Sequence, residues 1–158
     1  MPRFVGEFES TLDAKQRFLF PAAFKKMLPQ EGTTSFVINR GKEQCLTLFT
    51  KEVWDALLVK NFETLDYDDD ANVREYQRIF LNGATEIEFD SAGRLLLPKR
   101  LMDHAKISDR AIVLSGALDR IEIWDADVHQ QFVTGITQER YSELGKLVKQ
   151  SRTAENKS

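Results

Sequence analysis

Two acid–base pairs share one spacing in this 158-residue chain: Asp13 with Arg17, and Asp90 with Arg94. Each sits in the same frame, "TLDAKQRFLFPAAF" (11–24) and "EFDSAGRLLLPKRL" (88–101), where an apolar run and a proline (Pro21, Pro98) follow the arginine. Asp13, Arg17 and Pro21 recur 77 positions later as Asp90, Arg94 and Pro98. Aspartate at the head of a tight turn accepts backbone N–H groups. An arginine held by that aspartate presents a planar, pre-oriented fork suited to phosphate or to guanine O6 and N7. Two readings of the motif therefore stand side by side. In one, Asp and Arg are hairpin chemistry and nothing more. In the other, Asp13 and Asp90 orient Arg17 and Arg94 toward a nucleic acid, and Lys15 adds charge beside Arg17.

The two turns differ at one position. "DSAG" is a good turn because Gly93 takes a positive φ without steric cost. Gln16 stands at the matching place in "DAKQ". Glutamine tolerates positive φ poorly, so this turn is expected to be strained or differently shaped.

The elements that must position these residues are also duplicated. "SFVINRG" (35–41) aligns with "RAIVLSG" (110–116), and "CLTLF" (45–49) with "RIEIW" (120–124), now 75 positions apart. Each unit reads as a strand, the Asp turn, a second strand ("RFLF", "RLLL"), a short helix opened by proline, and two further strands. Repeat 1 spans 7–54 and repeat 2 spans 84–127. Residues 55–83 read as a helical connector. Two helices are expected there, one starting at the end of repeat 1 and covering about 51–63 and another from Asp70 to Asn82–Gly83, with a stripe of Val73, Tyr76, Ile79 and Phe80. A helical pattern, "DADVHQQFV" (125–133), follows repeat 2; the C-terminal helical region is placed at 128–150, with a last helix over roughly 138–150 that carries Tyr141, Leu144 and Val148 on one face. Residues 151–158 are expected to be a disordered tail. A unit of four short strands buries too little surface to be stable by itself, so the two repeats are expected to form one pseudo-two-fold domain.

Composition excludes several classes. The chain is 42% hydrophobic and 30% charged, which is globular. No stretch approaches the about 20 apolar residues of a membrane span. The N-terminal "MPRFVGEFES" has early charges and no apolar h-region, so no secretory leader is expected. Net charge is −3, which argues against bulk electrostatic coating of nucleic acid. Acid concentrates in "FETLDYDDD" (62–70), and base in "KLVKQSRTAENKS" (146–158). Cys45, the only cysteine, lies in "CLTLF" and reads as a packed, inert thiol. His104 and His129 read as helix-surface residues. No histidine or cysteine cluster has metal-ligand spacing, and no nucleophile–base set or phosphate loop is present. Neither a metal, a cofactor nor an enzymatic activity is expected.

"FVGEFESTLDAKQRFLFPAAF", "GKEQCLTLFTKEVWDAL", "LNGATEIEFDSAGRLLLPKRL" and "DRIEIWD" together closely resemble the MraZ family of bacterial transcriptional regulators, from about Phe4 to Trp124. The resemblance implies an α+β, mainly β fold: a pseudo-two-fold, swapped-hairpin AbrB-like β-barrel with flanking helices. It implies a cytoplasmic, nucleoid-associated repressor that assembles into homo-oligomeric rings. Such a ring would bind short direct repeats in double-stranded DNA upstream of the division and cell-wall gene cluster, its own gene included. Carried over residue by residue, the family's DNA contacts fall on Asp13, Lys15 and Arg17, and on Asp90 and Arg94. The family usually has glycine before the arginine, as at Gly93; Gln16 departs. The alternative function is a ring-forming interaction protein whose turns bind a protein partner without DNA.

Overall fold

The computed structural model describes residues 2–29 and 32–157. The chain divides into two compact units, Met1–Ala126 and Asp127–Ser158.

The first unit holds both repeats. Repeat 1 supplies β1 (Glu7–Thr11), β2 (Arg17–Leu19), α1 (Ala22–Lys26), β3 (Ser35–Arg40) and β4 (Leu46–Thr50). Two helices follow, α2 (Lys51–Phe62) and α3 (Ala71–Leu81). Repeat 2 supplies β5 (Thr85–Glu88), β6 (Arg94–Leu96), α4 (Lys99–His104), β7 (Ala111–Gly116) and β8 (Ile121–Asp125). The strands form a six-stranded sheet in the order β1-β7-β8-β4-β3-β5 and a two-stranded sheet of β2 with β6, all antiparallel.

That order has a symmetry the sequence only hinted at. Replacing every strand by its repeat counterpart reverses the six-stranded order and leaves it unchanged. The first strand of each repeat leaves its own hairpin: β1 pairs with β7, and β5 pairs with β3. Phe18 faces Leu95 in one sheet and Thr47 faces Glu122 in the other, each residue opposite its own counterpart. The pseudo-two-fold axis therefore passes through both pairs. The expected barrel does not close, however. Among the described residues β1 and β5 end the sheet and do not pair with each other.

The register corrects the internal alignment. Phe36 pairs with Thr50 and Ile112 with Asp125, so β3 and β7 correspond at 76 positions, not 75. The offset falls one residue at a time, once before β3 and once in the hairpin loop. A slip by one residue would turn every side chain to the opposite face. The observed register puts Phe36 and Ile38, and Ile112 and Leu114, into the same core.

That core is built from the inward faces of both repeats: Phe18, Phe20, Phe24, Leu46 and Leu48 with Leu95, Leu97, Leu101, Ile121 and Ile123. A second cluster of Val37, Phe49, Val53 and Trp54 lies under α2, with Phe80 of α3 packed on it. Trp54 stacks on Phe80 with ring centroids 5.6 Å apart. Thr50 caps α2 by accepting from Val53 N, and Asp70 caps α3 by accepting from Asn72 N. The expected α3 stripe is split: Phe80 packs inward, whereas Tyr76 and Ile79 are exposed. Gly83 follows α3 for a reason other than a left-handed cap. A Cβ there would stand 2.7 Å from Asn39 Oδ1 and 3.0 Å from Leu101 Cδ2.

The second unit takes up the last residues of α5 (Ala126–Thr134) and all of α6 (Gln138–Glu155). The helical pattern expected over 125–133 and the last helix expected from 138 both form, parted at Gly135–Thr137; Thr137 caps α6 by accepting from Arg140 N. Residues 151–155, read as tail, continue α6. His129 is buried, not on a helix surface, and His104 is half-buried with Nε2 3.3 Å from the Glu43 carbonyl oxygen. Cys45 is fully buried, as expected of a packed thiol.

Candidate nucleic-acid interface

The two Asp turns are superimposable in their hydrogen bonding. Asp13 N donates to the Arg17 carbonyl (2.9 Å) and Gln16 N to the Asp13 carbonyl (3.0 Å). In repeat 2, Asp90 N donates to the Arg94 carbonyl (2.9 Å) and Gly93 N to the Asp90 carbonyl (3.0 Å). Gln16 has φ 65° and Gly93 φ 77°. Of the two outcomes open for Gln16, the structure adopts strain with an unaltered shape: the side chain sits in the left-handed region, at a cost of roughly 1–2 kcal/mol against glycine. Cross-repeat bonds explain why the shape is imposed. Leu97 N donates to the Gln16 carbonyl (2.9 Å) and Phe20 N to the Gly93 carbonyl (3.3 Å).

Each aspartate divides its two oxygens between tasks. Asp13 Oδ1 accepts from Lys15 N and Arg17 N, both at 2.9 Å; Asp90 Oδ1 accepts from Ala92 N (3.0 Å) and Arg94 N (2.9 Å). Oδ2 then receives the arginine of the same turn, Arg17 Nε to Asp13 and Arg94 Nε to Asp90, both at 2.8 Å. The same Oδ2 atoms also face the opposite arginine: Arg17 Nη1 lies 3.7 Å from Asp90 and Arg94 Nη1 3.6 Å from Asp13. The four residues thus close a ring across the pseudo-two-fold axis. Its side chains are only 27–34% exposed. The arginine backbone N–H bonds, then the guanidinium and neighbouring N–H groups, hold both carboxyls below their ordinary range, against the opposing effect of desolvation. The aspartates are therefore ionised at neutral pH and the ring carries no net charge.

All four ring residues named from the sequence are brought together. Lys15 stands beside the ring on an exposed turn. Lys26, Lys99 and Arg100 are exposed on α1 and α4 and make no ion pair with the ring among the described residues; Lys25 lies 5.6 Å over the Phe89 ring. Two residues went unnoticed in the sequence. Leu96 pairs in register with Arg17, and Leu19 with Arg94, and these leucines are 50% and 61% exposed. The signal was the period of two: with Phe18 and Phe20 pointing inward, Leu19 must point out. The surface is thus a pair of guanidiniums flanked by two apolar side chains.

A family model described as "MraZ protein, putative antitoxin-like" matches residues 3–74 and 80–146. The chain belongs to the MraZ family. A protein named transcriptional regulator MraZ from Cytophaga hutchinsonii is 37% identical over 82% of this chain and 84% of its own length. One from Lactiplantibacillus plantarum is 39% identical, covering 83% and 88%. Another of that name, from Carboxydothermus hydrogenoformans, is 33% identical, covering 89% and 93%. The MraZ match spans both Asp/Arg turns. No helix among the described residues is long and apolar enough to cross a membrane.

Proposed function

We propose that this MraZ-family chain is a transcriptional regulator, a sequence-specific DNA-binding repressor whose contact surface is the Asp13–Arg17–Asp90–Arg94 ring. Its two repeats are AbrB-like swapped-hairpin units, a reading supported by the exchange of β1 and β5 between hairpins. The observation that carries the function is the paired arginines. Each keeps Nε on its own aspartate at 2.8 Å, while Nη1 reaches the opposite aspartate only at 3.6–3.7 Å, beyond a good hydrogen bond. The end-on Nη1/Nη2 fork is therefore held in direction but not consumed, and fits guanine O6 and N7. Leu19 and Leu96 offer apolar contact to sugar or to a thymine methyl group. Lys15 supplies a phosphate contact that the neutral ring does not.

The acidic chain makes one protomer a weak binder. A few phosphate contacts give little affinity at physiological salt. A homo-oligomeric ring facing several direct repeats upstream of the division and cell-wall gene cluster recovers affinity through effective concentration. The protein then acts in the cytoplasm, on the nucleoid. The neutrality of the Asp/Arg ring also favours the second reading, in which the turns are scaffolding for a protein contact.

Fluorescence anisotropy separates the two. Labelled duplex carrying the promoter repeats is titrated at two salt concentrations beside a scrambled duplex. Salt-dependent preference for the repeats, lost in Arg17→Ala or Arg94→Ala, supports the repressor. Equal binding to both duplexes by the native protein refutes it.

A further inference from the structure

The outer face of the six-stranded sheet carries a cavity that the Asp/Arg ring does not use. Alternation along the strands sets its floor. Leu46 and Leu48 point into the core, so Thr47 and Phe49 point out, joined by Asn39 and Glu122. Trp54 and Leu57 of α2 and Phe80 of α3 complete a space of about 260 Å³. Thr47 and Glu122 mark the pseudo-two-fold axis here, at the end remote from Phe18 and Leu95. The duplication alone does not account for this lining. In the register of β3 and β7, the counterparts of Asn39 and Arg40 are Ser115 and Gly116.

Three kinds of chemistry meet in the cavity. Phe49 and Phe80 stand 5.7 Å and 5.6 Å from Trp54 between ring centroids and form an aromatic wall with it. The indole N–H of Trp54, a residue 7% exposed, and the side-chain amide of Asn61 have no hydrogen-bond partner among the described residues. Arg40 is half-buried, and neither it nor Lys42 or Lys60 forms an ion pair among the described residues. Arg120 is bonded to Asp119 at 2.9 Å. With Glu43 and Glu122 the lining carries four cations against three acids, in a chain of net charge −3. A half-buried guanidinium without a carboxylate is costly until an anion meets it. The frame is already fixed: Asn39 donates from Nδ2 to the Phe80 carbonyl and accepts at Oδ1 from Arg40 N, both at 2.8 Å, which ties α3 to β3.

We propose that this cavity binds a free purine nucleoside monophosphate. The base lies against Phe49, Trp54 and Phe80, a contact any flat heterocycle can make. Trp54 Nε1 and the Asn61 amide read its edge, as an asparagine reads adenine. The phosphate meets Arg40, with Lys42 and Lys60 at the exposed rim. The volume falls just under the roughly 300–1,000 Å³ of drug-sized ligand sites, so it encloses a base and not a polynucleotide. The inference goes beyond the reading of the Asp/Arg ring and is tested without DNA.

Trp54 reports from the site, so the test is a fluorescence titration of the full chain carrying Trp124→Phe, with isothermal titration calorimetry on the native chain. AMP and GMP are the probes. Their nucleosides, ribose 5-phosphate and inorganic phosphate are the controls. At least one nucleotide should quench Trp54 saturably, with a midpoint below about 1 mM. Its nucleoside and ribose 5-phosphate should each bind roughly tenfold more weakly or worse. Arg40→Gln with Lys60→Gln should weaken the nucleotide roughly tenfold and leave the nucleoside unchanged, whereas Asn61→Ala should weaken both. Thermal melts by circular dichroism verify folding. Lys42→Gln with Lys60→Gln, both on exposed side chains, carries the charge test if the Arg40 variant unfolds. The proposal is overturned by no heat and no saturable quenching with either nucleotide up to about 10 mM. Inorganic phosphate binding as tightly as the nucleotide, affinity unmoved by the charge variants, or a single-stranded oligonucleotide binding the cavity more tightly than AMP and GMP also overturns it.

Discussion

Arg17 belongs to two repeats at once: its Nε is 2.8 Å from Asp13 of its own turn and its Nη1 is 3.7 Å from Asp90 of the other. A change in either aspartate therefore loosens both arginines. Asp13→Asn should lower affinity for the promoter repeats at least as much as Arg17→Ala, although Asp13 is itself repulsive to phosphate. Asp13→Asn and Arg94→Ala, 81 positions apart, should be non-additive in a double-mutant cycle of anisotropy titrations. Additive effects would mean that the turns work independently.

The flanking leucines make a separate prediction. Leu19→Ser and Leu96→Ser remove exposed apolar surface, so urea midpoints should move little. Affinity for the repeats should fall several-fold, with an unchanged salt slope, because no phosphate contact is lost. A steeper or shallower slope would place these leucines outside the contact.

How much of this was legible beforehand is seen by comparing Asp13/Arg17 with Leu19. The Asp–Arg spacing and its recurrence are local facts, and a turn whose aspartate accepts its own arginine is a local consequence. The elements, the duplication and the buried Cys45 followed from period and composition in the same way. What joined Arg17 to Asp90 was the β2–β6 pairing, a contact between residues 17 and 96 that no local pattern specifies. The one-residue shift between β3 and β7 escaped for a related reason. Gly41 and Gly116 invite alignment, yet the pairing of Arg40 with Leu46 and of Gly116 with Ile121 sets the register through hairpin loops of unequal length. The open sheet and the continuation of α6 to Glu155 likewise depend on pairing and on helix propagation, not on composition.

Gln16 isolates backbone strain from everything else. Gln16→Gly should stabilise the protein by up to about 1 kcal/mol, since relief of the left-handed conformation is partly offset by the larger entropy of an unfolded glycine. Gly93→Gln, at φ 77°, should cost about 1–2 kcal/mol. Urea unfolding measures both. Equal and opposite small effects below about 0.3 kcal/mol would show that the turn relaxes.

The pH dependence has two limbs with different owners. Asp13 and Asp90 titrate below their ordinary 3.8 when folded, so their contribution is complete above that value and is lost as pH falls through the folded pKa. Stability should drop below about pH 4, less steeply in Asp13→Asn/Asp90→Asn. Burial, with Glu122 and Glu43 nearby, pushes the Cys45 thiol up to about 12. A raised pKa acts in the opposite sense: stability is complete below the unfolded thiol value and declines from there toward pH 12. Cys45→Ala should flatten this alkaline limb. At pH 8 the native thiol should resist a disulfide reagent and react only at the rate of opening; rapid labelling would contradict its burial.

Phe18 and Leu95 face each other on the pseudo-two-fold axis, 1% and 0% exposed. Their removal tests whether the repeats are one folding unit. Phe18→Ala should cost about 3–5 kcal/mol and Leu95→Ala about 2–5 kcal/mol, the penalties of a buried cavity. Because β1 lies in the hairpin of repeat 2 and β5 in that of repeat 1, neither repeat can keep its sheet when the other opens. Both substitutions should therefore lower a single transition in which Trp54 fluorescence, reporting beside repeat 1, and Trp124 fluorescence, reporting in repeat 2, move together. Single-tryptophan variants (Trp54→Phe, Trp124→Phe) separate the two signals. Midpoints that part by more than their fitting error in Leu95→Ala would show two independent folding units, and the exchanged strands would then be a docking of finished repeats.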